Sequence, residues 1–338
     1  MSVDKNDRLR SEVTPTQAPT RSDLTNRRQF LLSTAAVALA PAAAVAEPVR
    51  EIRFGYQKTA VPLVVKARKL LEQRFEPQGA TVKWVEFAFG PPLLEAVNAG
   101  AVDYGYTGDA PPIFAQAARA RISYAAVIPA RGYGQAIVVP ADSPAQTLAD
   151  LEGKKIGVAK GSSAHNLLIS ALESQGVAWS DINPIYLAPA DAAAAFSRGA
   201  IDAWSIWDPF YAIAELKQKA RPLPIDPKAT VQNSYFLVNS DFLAKHADTV
   251  AAINEEIAKA TQWASEHRDE VAALWAEASG VDLAAQKRAV DRAEFSFGPM
   301  TDQVVAEQQA VADRFQRLGL IPAPIRVRDI VWFWKPNA

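Results

Sequence analysis

The chain has 338 residues, 49% of them hydrophobic, and its 36 Lys and Arg residues nearly balance 37 Asp and Glu residues for a formal net charge of −1. This balance of charges gives no overall electrostatic field that would attract nucleic acid. The length and the apolar fraction suit two lobes with a sizeable hydrophobic core in each. The absence of cysteine excludes a disulfide, a thiolate metal ligand, a lipid-modified cysteine and a cysteine nucleophile.

The N-terminal segment has the features of an export signal. Arg27 and Arg28 precede a short apolar run at 33–40 and the small residues 44–46, which fit a cleavage site. The paired arginines resemble a twin-arginine signal, and the general secretory route is the alternative. Because the run is far shorter than the roughly 20 residues that span a bilayer, we expect a signal peptide over 1–46 and a mature chain free in the periplasm.

Short β-branched runs then alternate with helical patterns, which is typical of βαβ units and parallel sheets. The predicted strands are 51–56, 81–87, 102–106, 122–128, 135–139, 155–159, 184–187, 202–206 and 235–239. Helical patterns between them include 61–75 and 92–99, and after residue 241 the pattern is almost wholly helical through residue 317.

The chain repeats one unit. In both copies a helix ends in a Gly-Ala turn, which is followed by an apolar residue, an aspartate and a short strand. Gly100 and Asp103 in the first copy align at one constant offset with Gly199 and Asp202 in the second. We therefore predict two lobes of the same α/β design.

Two crossover segments should join the lobes, near 130–134 and 226–233. The first contains two glycines, which suits a hinge that changes its backbone dihedral angles. We expect lobe 1 to comprise 47–130 and 234–338, including the helical C-terminal region, and lobe 2 to comprise 131–233, including the crossovers.

The strand-to-helix turns are candidates for lining a cleft, because open α/β sheets bind ligands outside the carboxyl ends of their strands. Gly161, Ser162 and Ser163 form a small-residue turn that opens a helix, and such a turn offers backbone N–H groups and two hydroxyls to an anion. Thr107 and Gly108 form a similar turn in the first copy. These turns predict an anion-binding site; an ordinary serine N-cap is the alternative.

Two aspartates stand beside these turns. Asp109 and Asp208 each precede a proline near the start of a helix, which is typical of N-caps. A carboxylate repels an anion and only accepts hydrogen bonds, so contact with a ligand would require an amine or a hydroxyl on that ligand. Trp207 aligns with Gly108 and could pack apolar ligand atoms or belong to the core, whereas Trp204 is expected in the core.

The three histidines, His165, His246 and His267, are scattered, and without cysteine they do not predict a zinc site. Only His165 lies near the expected cleft. An enzyme would use Ser162 or Ser163 as nucleophile and His165 as base, but the G-x-S-x-G spacing is missing. We therefore predict a binding protein without a cofactor or metal, and not an enzyme.

Four segments resemble periplasmic binding proteins of ABC transporters for aliphatic sulfonates, within a wider family that includes taurine and nitrate binders. They are Phe54-Gly55-Tyr56-Gln57-Lys58, Thr107-Gly108-Asp109-Ala110-Pro111-Pro112, Gly161-Ser162-Ser163-Ala164-His165-Asn166 and Trp207-Asp208-Pro209. The resemblance covers about 52–320. It implies a type II periplasmic binding fold, with two lobes that are each a mixed, mostly parallel sheet flanked by helices, and a ligand cleft between them. It also implies a membrane permease and an ATPase as partners.

The expected ligand is a small organic anion, and a sulfonate suits the turns because it is ionised at pH 7 and offers three acceptor oxygens. The expected ligand-binding residues are Gln57, Thr107, Gly108, Asp109, Ala110, Arg131, Gly161, Ser162, Ser163, His165, Asn166, Trp207 and Asp208. We expect a monomer that captures alkylsulfonates for sulfur acquisition. The alternatives are taurine, nitrate or a related anion, and, from another class, an enzyme on the same fold.

Overall fold

A computed structural model describes residues 48–336, so the predicted signal peptide lies outside the described residues. The strands are β1 (Glu51–Tyr56), β2 (Thr81–Glu86), β3 (Tyr104–Gly108), β4 (Ile122–Ile128), β5 (Gln135–Pro140), β6 (Lys155–Val158), β7 (Asn183–Tyr186), β8 (Ala203–Trp207), β9 (Ala220–Pro222) and β10 (Ser234–Asn239). The helices are α1 (Val61–Ala67), α2 (Leu70–Phe75), α3 (Gly90–Asn98), α4 (Ala110–Ala117), α5 (Ser163–Ser174), α6 (Pro189–Ser197), α7 (Phe210–Gln218), α8 (Pro227–Thr230), α9 (Ser240–Lys245), α10 (Ala247–Glu266), α11 (Arg268–Ser279), α12 (Leu283–Arg292) and α13 (Asp302–Arg317). Between residues 48 and 336, none of these helices is long and apolar enough to cross a membrane.

The strands form two five-stranded sheets of the same design. The first has the order β2-β1-β3-β10-β4 and the second the order β7-β6-β8-β5-β9. In each sheet four strands run in one direction, and the strand that follows a crossover from the other sheet, β10 or β5, runs against them. The two sheets match strand for strand, which confirms the predicted pair of mixed, mostly parallel lobes. The exact lobe boundaries, at 130/131 and 233/234, stay a prediction.

The repeated aspartates make the same contact in both lobes. The carboxylate of Asp103 accepts a 2.8 Å hydrogen bond from the backbone N–H of Arg53, in the middle of β1. The carboxylate of Asp202 accepts a 2.8 Å bond from the N–H of Lys155, at the start of β6. Each aspartate therefore ties the loop before one strand, β3 or β8, to the neighbouring parallel strand, β1 or β6, which explains why the sequence repeat keeps it.

Both faces of each sheet are covered by helices, because the strands carry apolar side chains on both faces. In lobe 1, helices α1, α10 and α11 pack on one face, and helices α3, α4 and α13 pack on the other. In lobe 2, helix α5 covers one face, and helices α6 and α7 cover the other. These layers fix the carboxyl ends of the strands, where the predicted turns lie.

Two details of the predicted elements are wrong. The helix predicted over 61–75 is broken into α1 and α2, since Lys69 adopts a left-handed conformation with a φ of 52°. Strand β9 was not predicted; it has three residues and includes a proline, so it is too short to show a periodicity. The C-terminal region is helical as predicted, but the non-helical segment 293–301 interrupts it and carries part of the site described below.

Candidate ligand-binding site

A cavity of about 150 Å³ lies between the lobes, where the strand-to-helix turns meet the two crossovers. Lobe 1 contributes the ends of β1 and β3 and the segment after α12. Lobe 2 contributes the end of β8 and the start of α5, and the crossovers contribute Gly132, Gly134 and Gln232. This is the position expected from the carboxyl-end rule for open α/β sheets.

The structure brings part of the predicted ligand-binding set to the cavity. The residues that line it are Gln57, Thr107, Gly108, Ser162, Ser163, Trp207 and Asp208. The residues of that set that do not line it are Asp109, Ala110, Arg131, Gly161, His165 and Asn166. Ligand contact by the first group stays a prediction, and the second group lies next to or behind the lining.

Thr107 and Ser163 provide the hydroxyls of one end of the cavity. The Thr107 hydroxyl is buried, and its oxygen has no hydrogen-bond partner in the described part of the chain. Gly90, at the start of α3, makes room for it, because a Cβ at Gly90 would lie 1.9 Å from that oxygen. Ser163 is the first residue of α5, so the positive end of that helix dipole faces the same region.

Ser162 differs from the expectation that both serine hydroxyls are donors for an anion. Its hydroxyl donates a 2.7 Å hydrogen bond to the carbonyl of Ala159, and it does not cap α5. The proton of Ser162 is therefore used within the turn. Ser163 and Thr107 remain as the hydroxyl donors at this end of the cavity.

The backbone of lobe 1 comes close to lobe 2 at Gly108. A Cβ at Gly108 would lie 2.7 Å from the Cβ of Ser163, closer than two such atoms can pack. Glycine is therefore required where β3 of lobe 1 meets the start of α5 of lobe 2. This close contact brings the Thr107 and Ser163 side chains to the same end of the cavity.

Asp109 is the N-cap of α4, as predicted, and it also bridges the lobes. Its carboxylate accepts a 2.7 Å bond from the N–H of Ala110 and a 2.5 Å bond from the amide of Asn166 in lobe 2. The amide oxygen of Asn166 accepts a bond from Arg314 of α13 at 2.8 Å. Burial raises the pKa of Asp109 to about 7, although the Asn166 and Ala110 bonds lower it.

His165 lies behind the turn rather than in the cavity. Its Nδ1 accepts a 3.2 Å hydrogen bond from the N–H of Gly161, and its fully buried ring stacks on Phe114. Burial, followed by the nearby Lys160 charge, lowers the pKa of His165 to about 4, so the ring is neutral. It makes no bond to a serine hydroxyl.

Within 48–336, no group of three or more His, Cys, Asp or Glu residues could hold a metal ion.

Asp208 does not cap α7 in the predicted way. The helix begins at Phe210, and the Asp208–Pro209 peptide bond is cis. The carboxylate accepts a 3.0 Å hydrogen bond from the N–H of Ala212 and a 3.3 Å bond from Arg292 of α12. Burial raises the pKa of Asp208 to about 6, and the charge of Arg292 limits that rise.

Arg292 is a site residue that the sequence analysis missed. Its guanidinium carbon lies 3.8 Å from the centre of the Tyr211 ring, and one nitrogen donates to the carboxylate of Glu215. With Asp208, these partners all belong to lobe 2, so Arg292 joins α12 of lobe 1 to the opposite lobe. In the sequence Arg292 is one charged residue on an amphipathic helix, which is usually a solvated position.

The C-terminal region contributes two more lining residues. Trp275 is 2% exposed and belongs to the core, but it also lines the cavity, and its indole N–H has no partner within 48–336. Glu294, in the non-helical segment after α12, accepts bonds from the backbone N–H groups of Arg131 and Gly132 at 2.5 and 3.2 Å. The predicted crossover is thus fastened to lobe 1 by a carboxylate that faces the cavity.

Comparison with known proteins agrees with this architecture. A model of the NMT1-like family matches residues 45–279. The alkanesulfonate-binding protein SsuA from Xanthomonas axonopodis pv. citri, solved bound to MOPS, is 38% identical, with a TM-score of 0.81 over 85% of this chain and 99% of that one. The periplasmic aliphatic sulphonate binding protein SsuA from Escherichia coli is 37% identical, with a TM-score of 0.76 over 84% and 97%. The desulfurization enzyme DSZB, 16% identical with a TM-score of 0.63 over 83% and 96%, shares the fold alone.

Proposed function

This chain belongs to the NMT1-like family, and from that membership and the geometry of the cavity we propose that it is the substrate-binding component of an ABC importer that captures aliphatic sulfonates. The solved relatives at 37–38% identity are sulfonate-binding proteins, and one of them holds MOPS, a molecule with a sulfonate head. In this role the ligand supplies sulfur after uptake.

The proposal depends mainly on one observation: two hydroxyl donors, a helix N-terminus and an aromatic side chain line the same cavity. Thr107 and Ser163 offer donors to the three acceptor oxygens of a sulfonate, and the dipole of α5 favours its negative charge. Trp207, which is half-buried and lines the cavity, offers an apolar surface to an alkyl chain. Nitrate has no alkyl chain to pack there.

Binding without catalysis is the second part of the proposal. The serine and histidine of the enzymatic alternative do not form a pair, because the Ser162 hydroxyl donates to Ala159 and His165 bonds to the Gly161 N–H. A solved relative on this fold is a desulfurization enzyme, but its low identity supports only the fold. Product release from any sulfonate incubated with the purified protein would contradict this part.

A calorimetric and thermal-shift screen of the mature chain tests the proposal. The ligands are methane- to hexanesulfonate, taurine, nitrate, sulfate and phosphate, each used in turn. A ligand at about 100 times its dissociation constant adds about 2.7 kcal/mol to the free energy of unfolding. We expect this stabilisation with alkylsulfonates and none with sulfate or phosphate. Stabilisation by nitrate alone, or by no anion, would contradict a sulfonate-binding function.

The location and the partners follow from the same role. Export into the periplasm fits Arg27 and Arg28 and the small residues 44–46, which resemble a twin-arginine signal and its cleavage site. The mature protein would deliver its ligand as a monomer to a membrane permease that is driven by an ATPase. Cell fractionation that finds the full-length precursor in the cytoplasm only would contradict this location.

A further inference from the structure

The turn that opens α5 gives lobe 2 its contact with the proposed anion position, since Ser162 and Ser163 line the cavity there. Gly161 begins the turn in a left-handed conformation with a φ of 71°. The backbone N–H and the hydroxyl of Ser162 both donate to the carbonyl of Ala159, at 3.2 and 2.7 Å. These short-range bonds set the shape of the turn, and that shape decides where the Ser163 hydroxyl and the first N–H groups of α5 lie.

His165 supplies the acceptor that the turn itself lacks for the N–H of Gly161. Gly161 is buried and does not line the cavity, so its N–H needs a partner inside the protein. The imidazole Nδ1 of His165 accepts that bond at 3.2 Å, and the backbone N–H of His165 donates to the carbonyl of Ser162 at 3.0 Å. His165 therefore holds the turn at two successive residues from outside the cavity.

The rest of the His165 side chain makes apolar contacts. Its Nε2 is buried and has no hydrogen-bond partner within 48–336, and the rings of Trp179 and Tyr186 flank it at centroid distances of 5.2 and 5.7 Å. A phenylalanine would fill such a pocket without the free-energy cost of burying a polar ring. The bond to Gly161 is therefore the contact that accounts for a histidine here, and it requires the tautomer that carries its proton on Nε2.

Two rings of lobe 1 fix His165 from the opposite lobe. The ring of Phe114 on α4 is stacked on it at a centroid distance of 6.4 Å, and that of Phe315 on α13 lies at 5.5 Å. Phe114 also lies against the turn, since a Cβ at Gly161 would be 3.4 Å from its ring. Helix α4 begins three residues after Thr107. The imidazole thus links the turn in lobe 2 to the part of lobe 1 that carries the other hydroxyl donor.

We propose that His165 is a positioning residue of the sulfonate site. Its Nδ1 holds the turn 161–163 in the conformation that binds the anion, and its ring ties that turn to lobe 1; His165 itself does not touch the ligand. The inference rests on the proposed function, since it assumes that a sulfonate head contacts Ser163 and Thr107. Without the acceptor, the N–H of Gly161 has to turn toward another partner. This displaces Ser163 and lowers the affinity for every sulfonate, whatever its chain length.

Calorimetric titration of two variants with butane-1-sulfonate at pH 7 tests this proposal. His165→Phe keeps an aromatic ring but removes the acceptor, and we expect its dissociation constant to be at least tenfold higher than that of the wild type. His165→Asn loses the ring but keeps an acceptor, because its Oδ1 is as many bonds from the backbone as Nδ1 is. We expect this variant to bind at least threefold more tightly than His165→Phe.

A purely structural role predicts the reverse order, since packing against Phe114 and Phe315 favours phenylalanine over asparagine. Binding by His165→Phe that equals or exceeds that of His165→Asn would overturn the positioning role and leave the sulfonate function standing. Failure of the wild-type chain to bind would overturn the function and this proposal with it. His246→Phe, outside the cavity, is the matched control and should bind like the wild type. Calorimetry reports the binding-competent fraction separately from the dissociation constant, so partial unfolding does not mimic the result.

Nitrogen NMR of the wild-type chain tests the bond to Gly161 without relying on a variant's folding. The chain has three histidines, so each ring signal can be assigned by single replacements. At pH 7 we expect the ring of His165 to be neutral, with its proton on Nε2 and a bare Nδ1. A proton on Nδ1, in a neutral or a charged ring, would overturn the proposal, because that nitrogen could not accept a bond.

Discussion

The side-chain amide of Asn166 donates a 2.5 Å hydrogen bond to the buried carboxylate of Asp109, and this bond joins lobe 2 to lobe 1 directly beside the cavity. Arg314 of α13 extends the connection, since it donates to Asn166 at 2.8 Å and to Glu173 at 3.0 Å. On the other side of the cavity, Arg292 makes an equivalent connection to Asp208. The lobes are thus held together by polar contacts on both sides of the ligand position.

Replacement of Asp109 by asparagine should change how stability depends on pH. The folded-state pKa of Asp109 is about 7, against about 3.9 for an unfolded aspartate. The stability that this raised pKa contributes is therefore fully present below about pH 4 and is lost as the pH rises to about 7. In Asp109→Asn this loss is absent, so the wild-type free energy of unfolding should fall relative to the variant by an amount on the order of 3 kcal/mol across that window.

Urea unfolding of both proteins at several pH values between 4 and 8 measures this difference. Asp142→Asn, an exposed aspartate in the turn after β5, is the control and should run parallel to the wild type. Parallel curves for Asp109→Asn and the wild type would show that Asp109 is ionised normally in the folded protein.

His165 should give a pH dependence of the opposite sign. Its folded-state pKa is lowered to about 4, so its contribution to stability is present above the unfolded value of about 6.5 and is lost as the pH falls toward 4. His165→Gln keeps an acceptor for the Gly161 N–H but cannot titrate. The wild type should therefore lose on the order of 3 kcal/mol relative to this variant between pH 6.5 and 4. His246→Gln, outside the site, serves as the control, and equal acid sensitivity in all three proteins would contradict the prediction.

Gly108→Ala should weaken ligand binding through the contact between the lobes. Its Cβ would lie 2.7 Å from that of Ser163, so the lobes could no longer reach this distance. We expect at least a tenfold loss of sulfonate affinity by calorimetry, with a smaller effect on the melting temperature of the ligand-free protein. Gly298→Ala is the matched control, because a Cβ there meets nothing within 4 Å and the φ is not positive. Unchanged affinity in Gly108→Ala would mean that ligand binds with the lobes further apart.

Thr107 and Trp207 should affect a homologous series of sulfonates in different ways. Thr107→Val removes a head-group donor and should lower affinity by about 0.5–3 kcal/mol for every member from methane- to hexanesulfonate. Trp207→Ala removes the apolar surface that contacts the alkyl chain of the ligand. The loss of binding free energy should therefore grow by roughly 0.8 kcal/mol for each methylene that loses burial. Calorimetry on both variants distinguishes a parallel shift from a change of slope. A parallel shift for Trp207→Ala would assign that residue to the core.

Much of the fold could be predicted because its signals are local and repeated. The β-branched runs predicted the strands of both sheets except β9, and the matching Asp103 and Asp202 indicated the duplication, since both make the same bond to the neighbouring parallel strand, β1 or β6. The turns at Thr107 and Ser163 were predicted because strand ends and helix starts are readable from sequence.

The rest of the site depends on contacts that no local pattern records. Arg292 and Glu294 reach the cavity because α12 of lobe 1 lies against α7 of lobe 2, and a helical periodicity does not say which neighbour a helix meets. Ser162 and His165 stand in the predicted turn, yet the direction of each side chain is set by tertiary packing against Ala159 and Phe114.

Sulfonate binding in this cavity is tested by a crystal structure of the mature protein with 3-bromopropane-1-sulfonate, in which anomalous scattering from bromine marks one end of the ligand. We expect the sulfonate within hydrogen-bonding distance of the Thr107 and Ser163 hydroxyls, and the bromine peak beside Trp207 toward Asp208. A bromine peak beside Thr107, or a ligand bound outside this cavity, would contradict it.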